Sequence, residues 1–330
     1  MSDDRLKLPP ERDFGFYQRR KHDVWRAVEA PALEAPVIDT HAHVHMLPDP
    51  AWELARCVAN GVADVCEICD PSEDALDPAD DLTHWRWGCA TYLAKAFLET
   101  QDPASEPDMG AIPVVHMAAG VHPHNARLYD EAVEEKLLAW LEVPRVVALG
   151  EIGLDYHYDL SPRDVQRCVF RRQIELAKQQ GLPIALHLRG GDDPLVDNAH
   201  AEAFAILQEM GFPPAGTLLH CCSLPPDELI PWIEAGCYIA YGGALTFKNG
   251  EAAREGVRLV PDDRLLLETD SPYMAPEPMR GAACTPAHVV FTAARLAEVR
   301  GCAPGIDRQR FLEQLVANSQ AFFAARSALQ

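Results

Sequence analysis

The chain has no apolar run approaching the ~18 residues that a membrane-spanning helix needs, so no segment is expected to cross a bilayer. Positive charge is scarce. The 29 Lys and Arg stand against 50 Asp and Glu, a formal charge of −21, and a field of that sign repels polyanions at long range. A broad basic platform for nucleic acid is excluded, and phosphate chemistry would need a local pocket served by metal ions or a few arginines. Ten cysteines in 330 residues are too sparse for a disulfide-stapled scaffold and read as reduced thiols. The start, Met1-Ser2-Asp3-Asp4-Arg5, bears acids and no apolar core follows it, so no secretory leader is read there and a cytoplasmic protein is the expectation. Internal repeats and low-complexity tracts are also missing. What remains, 48% hydrophobic and 24% charged residues, is an ordinary globular balance that excludes wholesale disorder.

Residues 1–35 mix charge, proline and scattered aromatics and read as an N-terminal extension, with Phe14, Phe16, Tyr17 and Trp25 available to pin it and a helix expected over 23–30. From Pro36 onward, short apolar runs alternate with longer amphipathic stretches. The runs cover 37–39, 62–68, 114–121, 146–152, 183–188, 217–222, 238–245 and 264–268. Their Val, Ile and Leu content without strict alternation is that of parallel strands buried on both faces. The clearest helix spans 163–180, with Pro162 at its start and Gly181 just past its end. Eight strands separated by helices predict an α/β fold, a (β/α)8 TIM barrel over 36–330. An open doubly wound sheet fits less well, because no glycine-rich phosphate loop follows the first strand. The connection over 70–113, after the second strand, reads as an ordered insertion with a helix over 82–99 followed by a polar loop.

Polar residues gather at the ends of these runs, where a barrel builds its site. The first ends in Asp39-Thr40-His41-Ala42-His43, the third in His122-Pro123-His124, and the fourth in Glu151-Ile152-Gly153-Leu154-Asp155. The fifth ends in His187-Leu188-Arg189, the sixth in His220, and the eighth in Glu268-Thr269-Asp270. His41 and His43 are two apart, so an extended strand sends both to one face, where they can chelate one ion such as Zn²⁺ or Mn²⁺. Glu151 has an oxygen for each of two ions. A carbamylated lysine is the other common bridge, but only Lys248 of six lysines lies near a strand end, and it follows the seventh strand. A water between two cations has its pKa lowered toward neutrality, and a nearby carboxylate can take its proton. Arg189 offers a fork of donors suited to phosphate, unless Asp192 or Asp193 pairs with it. His122 can donate to a phosphate oxygen, and Tyr273 or Phe247 can stack a base.

Taken together, Asp39-Thr-His41-Ala-His43, Gly120-Val-His122-Pro-His124, Gly150-Glu151-Ile-Gly-Leu-Asp155, Thr246-Phe-Lys-Asn249, Glu268-Thr-Asp270-Ser-Pro-Tyr273, Arg280-Gly281 and Asn318…Phe322-Phe323 resemble the TatD family of metal-dependent hydrolases. The resemblance runs from about residue 36 to the end. It implies a TIM barrel of the amidohydrolase superfamily with two divalent metal ions (Mg²⁺, Mn²⁺ or Zn²⁺). The activity it implies is that of a hydrolase of phosphodiester bonds, a deoxyribonuclease or 3′→5′ exonuclease acting on nucleic-acid ends or a small phosphodiester. By the same resemblance His41, His43, Glu151 and Asp270 hold one ion and Glu151, His187 and His220 the other, with Asp270 orienting or deprotonating the attacking water. His122, Arg189, Tyr273 and Arg280 are the candidate substrate contacts.

The rim departs from the family pattern. His45 stands where the family carries an acid and reads as a loop histidine, with a third ligand or a residue of the surrounding shell as the alternatives. Cys221-Cys222-Ser223-Leu224 after His220, Gly190-Gly191-Asp192 after Arg189 and Ala282-Ala283-Cys284-Thr285 after Gly281 also differ. These changes spare the candidate ligands and bear on the substrate, so hydrolysis of a lactone, amide or phosphotriester stands as the alternative function. Cys66-x-x-Cys69 lacks both the second half of a zinc knuckle and a thioredoxin-like setting, and reads as two buried thiols.

Overall fold

The computed structural model describes residues 5–6, 13–20, 24–100, 109–193 and 196–328. Strands β1 (Arg5–Leu6), β2 (Phe16–Arg20) and β3 (Val24–Val28) form a small antiparallel sheet in the order β1-β3-β2. The helix expected over 23–30 is therefore a strand. Its Val-Trp-Arg-Ala-Val segment suits a pleat, and it pairs with β2 from Phe16↔Val28 to Arg20↔Val24. Propensity and a ready partner strand thus act in the same direction here. Two of the expected pins hold this sheet to the rest of the molecule: Phe16 is buried edge-on to Phe291 at 4.9 Å, and Phe14 stacks on Trp52 at 4.9 Å.

Eight parallel strands follow: β4 (Val37–Ala42), β5 (Val62–Cys69), β6 (Val114–Ala119), β7 (Val146–Asp155), β8 (Ile184–Arg189), β9 (Thr217–Leu219), β10 (Tyr238–Tyr241) and β11 (Leu265–Leu267). Each pairs with the next, and β11 closes on β4. The seam consists of the Thr40 hydroxyl donating to Leu267 C=O (2.8 Å), Asp270 N–H to His41 C=O (2.9 Å) and His43 N–H to Ser271 C=O (2.7 Å). The helices between them are α1 (Pro50–Ala59), α2 (Asp81–Thr100), α3 (Glu131–Leu141), α4 (Arg163–Gln180), α5 (Ala199–Met210), α6 (Pro226–Glu234) and α7 (Glu251–Leu259). After β11 come α8 (Val289–Val299) and α9 (Ile306–Ala324). This is the TIM barrel that the alternating pattern predicts.

Local chemistry explains the element boundaries. Asp49 caps α1 by accepting from Trp52 N–H (3.1 Å), with Pro50 in the first turn. Gly181 ends α4 at φ 62°, a left-handed position that a Cβ would strain. Helix α2 is the one expected in the 70–113 connection. It packs on α1, where Tyr92 donates its hydroxyl to Asp49 (2.6 Å). The polar loop expected after it falls at 101–108, outside the described residues.

The barrel lumen is filled by Ile38, Cys66, Ala118, Ala148, Ala185, Leu218, Ala240 and Leu266. Four alanines leave room at its floor, which Phe322 and Phe323 of α9 occupy, with His116 stacked on Phe323 at 4.4 Å. A larger apolar shell lies between the strands and the helices. The closed floor leaves the opposite, C-terminal mouth as the face on which polar groups can gather. Among the described residues no helix is long and apolar enough to cross a membrane, and all ten cysteines are unpaired.

Candidate metal centre

The six candidate ligands come from five strands and meet at the C-terminal mouth. His41 lies in β4 with His43 just beyond it; Glu151 is in β7, His187 in β8, His220 follows β9 and Asp270 follows β11. Two strands lose regular register where they carry ligands, β4 between Asp39 and Ala42 and β7 between Leu149 and Ile152. Such irregularities re-aim side chains out of strict alternation. Asp270 itself takes a left-handed backbone, φ 57°, which Asp tolerates better than most residues. It is held there from two sides, by its own N–H bond to His41 and by the buried Asp39. Asp39 accepts from the Thr269 N–H (2.9 Å) and hydroxyl (2.6 Å).

Glu151 is the pivot. Its Oε2 faces His41 Nε2 at 3.5 Å and His43 Nε2 at 4.0 Å, and Asp270 Oδ1 lies 3.8 and 3.6 Å from the same two nitrogens. Its Oε1 faces His187 Nδ1 at 2.7 Å and His220 Nε2 at 3.0 Å. The two carboxylate oxygens thus serve two separate ligand groups, His41/His43/Glu151 and Glu151/His187/His220, each with donor atoms close enough to share one ion. His41 is completely buried and neither ring nitrogen makes a hydrogen bond. Its contacts to Glu151 and Asp270 exceed good hydrogen-bond lengths, and unsatisfied buried polar atoms cost about 1–3 kcal/mol. A cation would satisfy the nitrogen that faces these carboxylates, so the donor set fits a metal.

Charge balance supports the same conclusion. Burial disfavours the Glu151 carboxylate, but His220, His41 and His187 outweigh it and hold the carboxyl well below its usual range. Burial likewise opposes ionisation of Asp270, yet His43, His220 and His41 keep it below the ordinary value. Against burial, Glu151 and Asp155 lift His187 to about 9, Glu268 and Glu151 lift His220 well up, and Asp270 and Glu151 raise His43. Burial and His220 lower His41. The same carboxylates that favour a proton on His43, His187 and His220 would favour a cation, and because a ligating imidazole must give up the proton at the ligating nitrogen, binding there would release protons.

Residues of the same strand-end motifs position the ligands from outside. Asp155 accepts through Oδ2 from His124 Nε2 (2.9 Å) and His187 Nε2 (3.0 Å), while its Oδ1 accepts from the N–H of His157 and of Tyr158 (2.9 Å each). It therefore fixes the His187 ring from behind. Glu268 stands 3.4 Å from His220 Nδ1, an ion-pair distance without hydrogen-bond alignment, and accepts from Cys221 N–H at 2.6 Å. The missed signal for His124 was its two-residue step from His122, the same step that singled out His41 and His43.

The centre opens into a cavity of ≈ 620 Å³ lined by His43, His122, Arg189, Tyr158 and Tyr273, among others. His122 Nδ1 accepts from His124 N–H (3.1 Å), which leaves the proton of the neutral ring on Nε2, 4.0 Å from Glu151 Oε1. Burial and His187 hold this ring well below the usual histidine pKa. Arg189 is exposed at the rim with its guanidinium 4.7 Å above the Tyr158 ring. Tyr273 is half exposed and edge-on to His43 at 6.1 Å. Arg280 instead stacks on Phe247 at 3.8 Å, outside the cavity lining, and so covers the ring considered for base stacking. Cys66 lies in the lumen while Cys69, at the end of β5, packs with the larger apolar cluster and edges the cavity, so the two thiols face opposite sides of the strand.

A family model described as TatD related DNase matches residues 38–324. The chain is 38% identical over 190 residues to YabD of Bacillus subtilis, an uncharacterized metal-dependent hydrolase, covering 56% of this chain and 70% of that one. It is 34% identical over 188 residues to a 3′-5′ ssDNA/RNA exonuclease TatD of Enterobacter lignolyticus, covering 56% of this chain and 69% of that protein. The crystal structure of YjjV, a TatD homologue of Escherichia coli, matches with a TM-score of 0.66 at 23% identity over 87% of this chain and 97% of that one, a likeness of fold.

Proposed function

This chain belongs to the TatD family of metal-dependent hydrolases, and from that premise we propose that it cleaves phosphodiester bonds at nucleic-acid ends or in a small diester. Two divalent ions of the Mg²⁺, Mn²⁺ or Zn²⁺ class would share Glu151. The observation that carries the reading is the division of the two Glu151 oxygens between two histidine groups. His41, His43, Glu151 and Asp270 would hold one ion, and Glu151, His187 and His220 the other. Bound there, divalent ions would acidify water and offset the charge of a phosphodiester.

The chain's own groups supply the rest. Asp270 is ionised at neutral pH and lines the cavity, so it can orient a water and accept its proton. His122 presents Nε2–H to the cavity as a neutral donor for a phosphate oxygen. Arg189, its guanidinium over the Tyr158 ring at the cavity rim, adds a charged fork. Positive charge supplied by Arg189 at the rim suits a substrate that enters by its end, since an overall charge of −21 offers no track for a long strand. The exonuclease name of the Enterobacter relative supports the same substrate class.

The test is a panel on metal-loaded protein freed of contaminating nucleases: single-stranded DNA, RNA, a chromogenic phosphodiester, and esters and lactones. Turnover of diesters that Asp270→Asn abolishes is expected. Intact DNA, RNA and diester would refute the proposal. Faster turnover of neutral esters or lactones would favour the second reading, which the acidic surface and the small-molecule size of the cavity recommend.

A further inference from the structure

One wall of the cavity carries a second set of ligand atoms that the proposed reaction does not use. His45 lies in the short turn Val44–Met46, with its ring 6.2 Å from that of His43 and turned toward the end of β5. There its Nδ1 contacts Glu67 Oε1 directly. Cys69 Sγ stands 3.9 Å from the same nitrogen and 3.4 Å from the same oxygen. One nitrogen, one oxygen and one sulfur therefore converge within the span of a single ion.

Their remaining polar atoms are already engaged. His45 Nε2 lies 3.2 Å from Asp74 Oδ1, and the other Asp74 oxygen accepts from Asp70 N–H at 2.6 Å. Glu67 Oε2 accepts from Val44 N–H at 2.7 Å. A ligating histidine commonly has this arrangement: one nitrogen on the metal, the other donating to an anchored carboxylate that fixes ring and tautomer. Glu67 is 0% and Cys69 1% exposed, so the buried carboxylate and thiol need a partner of positive charge, a part that the His45 ring takes and that a cation held by all three would take over.

We propose that His45 Nδ1, Glu67 Oε1 and Cys69 Sγ bind a Zn²⁺-like divalent cation at a site separate from the two groups that share Glu151. The sulfur and imidazole select a borderline-soft ion; Mg²⁺ and Ca²⁺, which take oxygen ligands, are poor fits. On binding, the thiol and Nδ1 give up their protons while Nε2 keeps its own and donates to Asp74. Three protein ligands leave a fourth position open, the pattern of a reactive rather than a closed structural zinc site. His45 and Cys69 both line the cavity, so a water or an anionic substrate group would fill it from there. Cys66 takes no part, because it faces the lumen.

The experiment uses the full chain stripped with a chelator and reloaded with Co²⁺ or Zn²⁺. Cobalt loading should produce a thiolate-to-cobalt charge-transfer absorption that Zn²⁺ displaces. Cys69→Ser should lose that band and bind one equivalent of zinc fewer by elemental analysis, while Asp270→Asn should keep the band. His45→Gln, which leaves the thiol untouched, should also bind one equivalent fewer and keeps the test decisive if Cys69→Ser does not fold. A folded, cobalt-loaded wild type without the band, or a band that survives Cys69→Ser, overturns the proposal. The readout is independent of turnover, so an inactive substrate panel beside an intact band would sink the phosphodiester reading alone.

Discussion

Replacing Asp155 by Asn keeps the size of the side chain and removes one acceptor. Oδ1 is pinned as an acceptor by two backbone N–H groups at 2.9 Å, so the new amide nitrogen must take the place of Oδ2. It then presents N–H donors to His124 Nε2 and His187 Nε2, which now donate to Oδ2 at 2.9 and 3.0 Å. Donor meets donor. His187 either loses its anchor or moves its proton to Nδ1, the nitrogen 2.7 Å from Glu151 Oε1 that an ion would need. Outer partners of this kind are typically worth about 10–100-fold in metal affinity, or roughly 1.4–2.7 kcal/mol. Calorimetric titration of chelated protein with Zn²⁺ or Mn²⁺ should show that loss, confined to one class of sites, in a variant that still unfolds cooperatively. An affinity unchanged within the scatter of the titration would mean that Asp155 does not govern the His187 ring and that the description of this half of the centre is wrong.

Other substitutions probe other levels of the structure. Phe322→Ala should empty the barrel floor and cost about 3–5 kcal/mol in denaturant unfolding, and a loss below 1 kcal/mol would show that the lumen is not closed by that ring. His288 is neutral in the folded chain because burial and Arg56 push its pKa down to about 3, against 6.5 for an unperturbed histidine. The unfolded chain then takes up the proton first, and stability should fall as pH drops from 6.5 toward 3, by about 2 kcal/mol between pH 7 and pH 5. His288→Gln should flatten that slope in thermal or denaturant scans; parallel wild-type and variant slopes would refute the assignment. Arg189→Ala should lower kcat/KM for a charged phosphodiester by about 10–100-fold through one lost charge-assisted contact, leaving a neutral ester unaffected. Equal losses on both substrates would place Arg189 outside phosphate recognition.

The eight strands and the helix at 163–180 were legible because burial on both faces and amphipathic period are written residue by residue. The extension was not. The β-branched and aromatic residues of Val24–Val28 suit a strand, but five residues are too short a run to fix its state without the partner Phe16–Arg20. Arg280 shows the same limit at the rim, since a guanidinium suited to phosphate was equally suited to the face of Phe247.

Residue type and spacing by themselves determined that this chain is a barrel with imidazoles and carboxylates at its strand ends, since each such residue is costly to bury without a partner and its place along a strand is a local property. Only closure of the barrel decided which atoms meet. The two oxygens of Glu151 face different histidine groups, Asp155 reaches behind His187, and His45 turns away from His43 toward Glu67 and Cys69 because the seam between the first and last strands and the broken register of β4 and β7 set the distances between segments far apart in the chain.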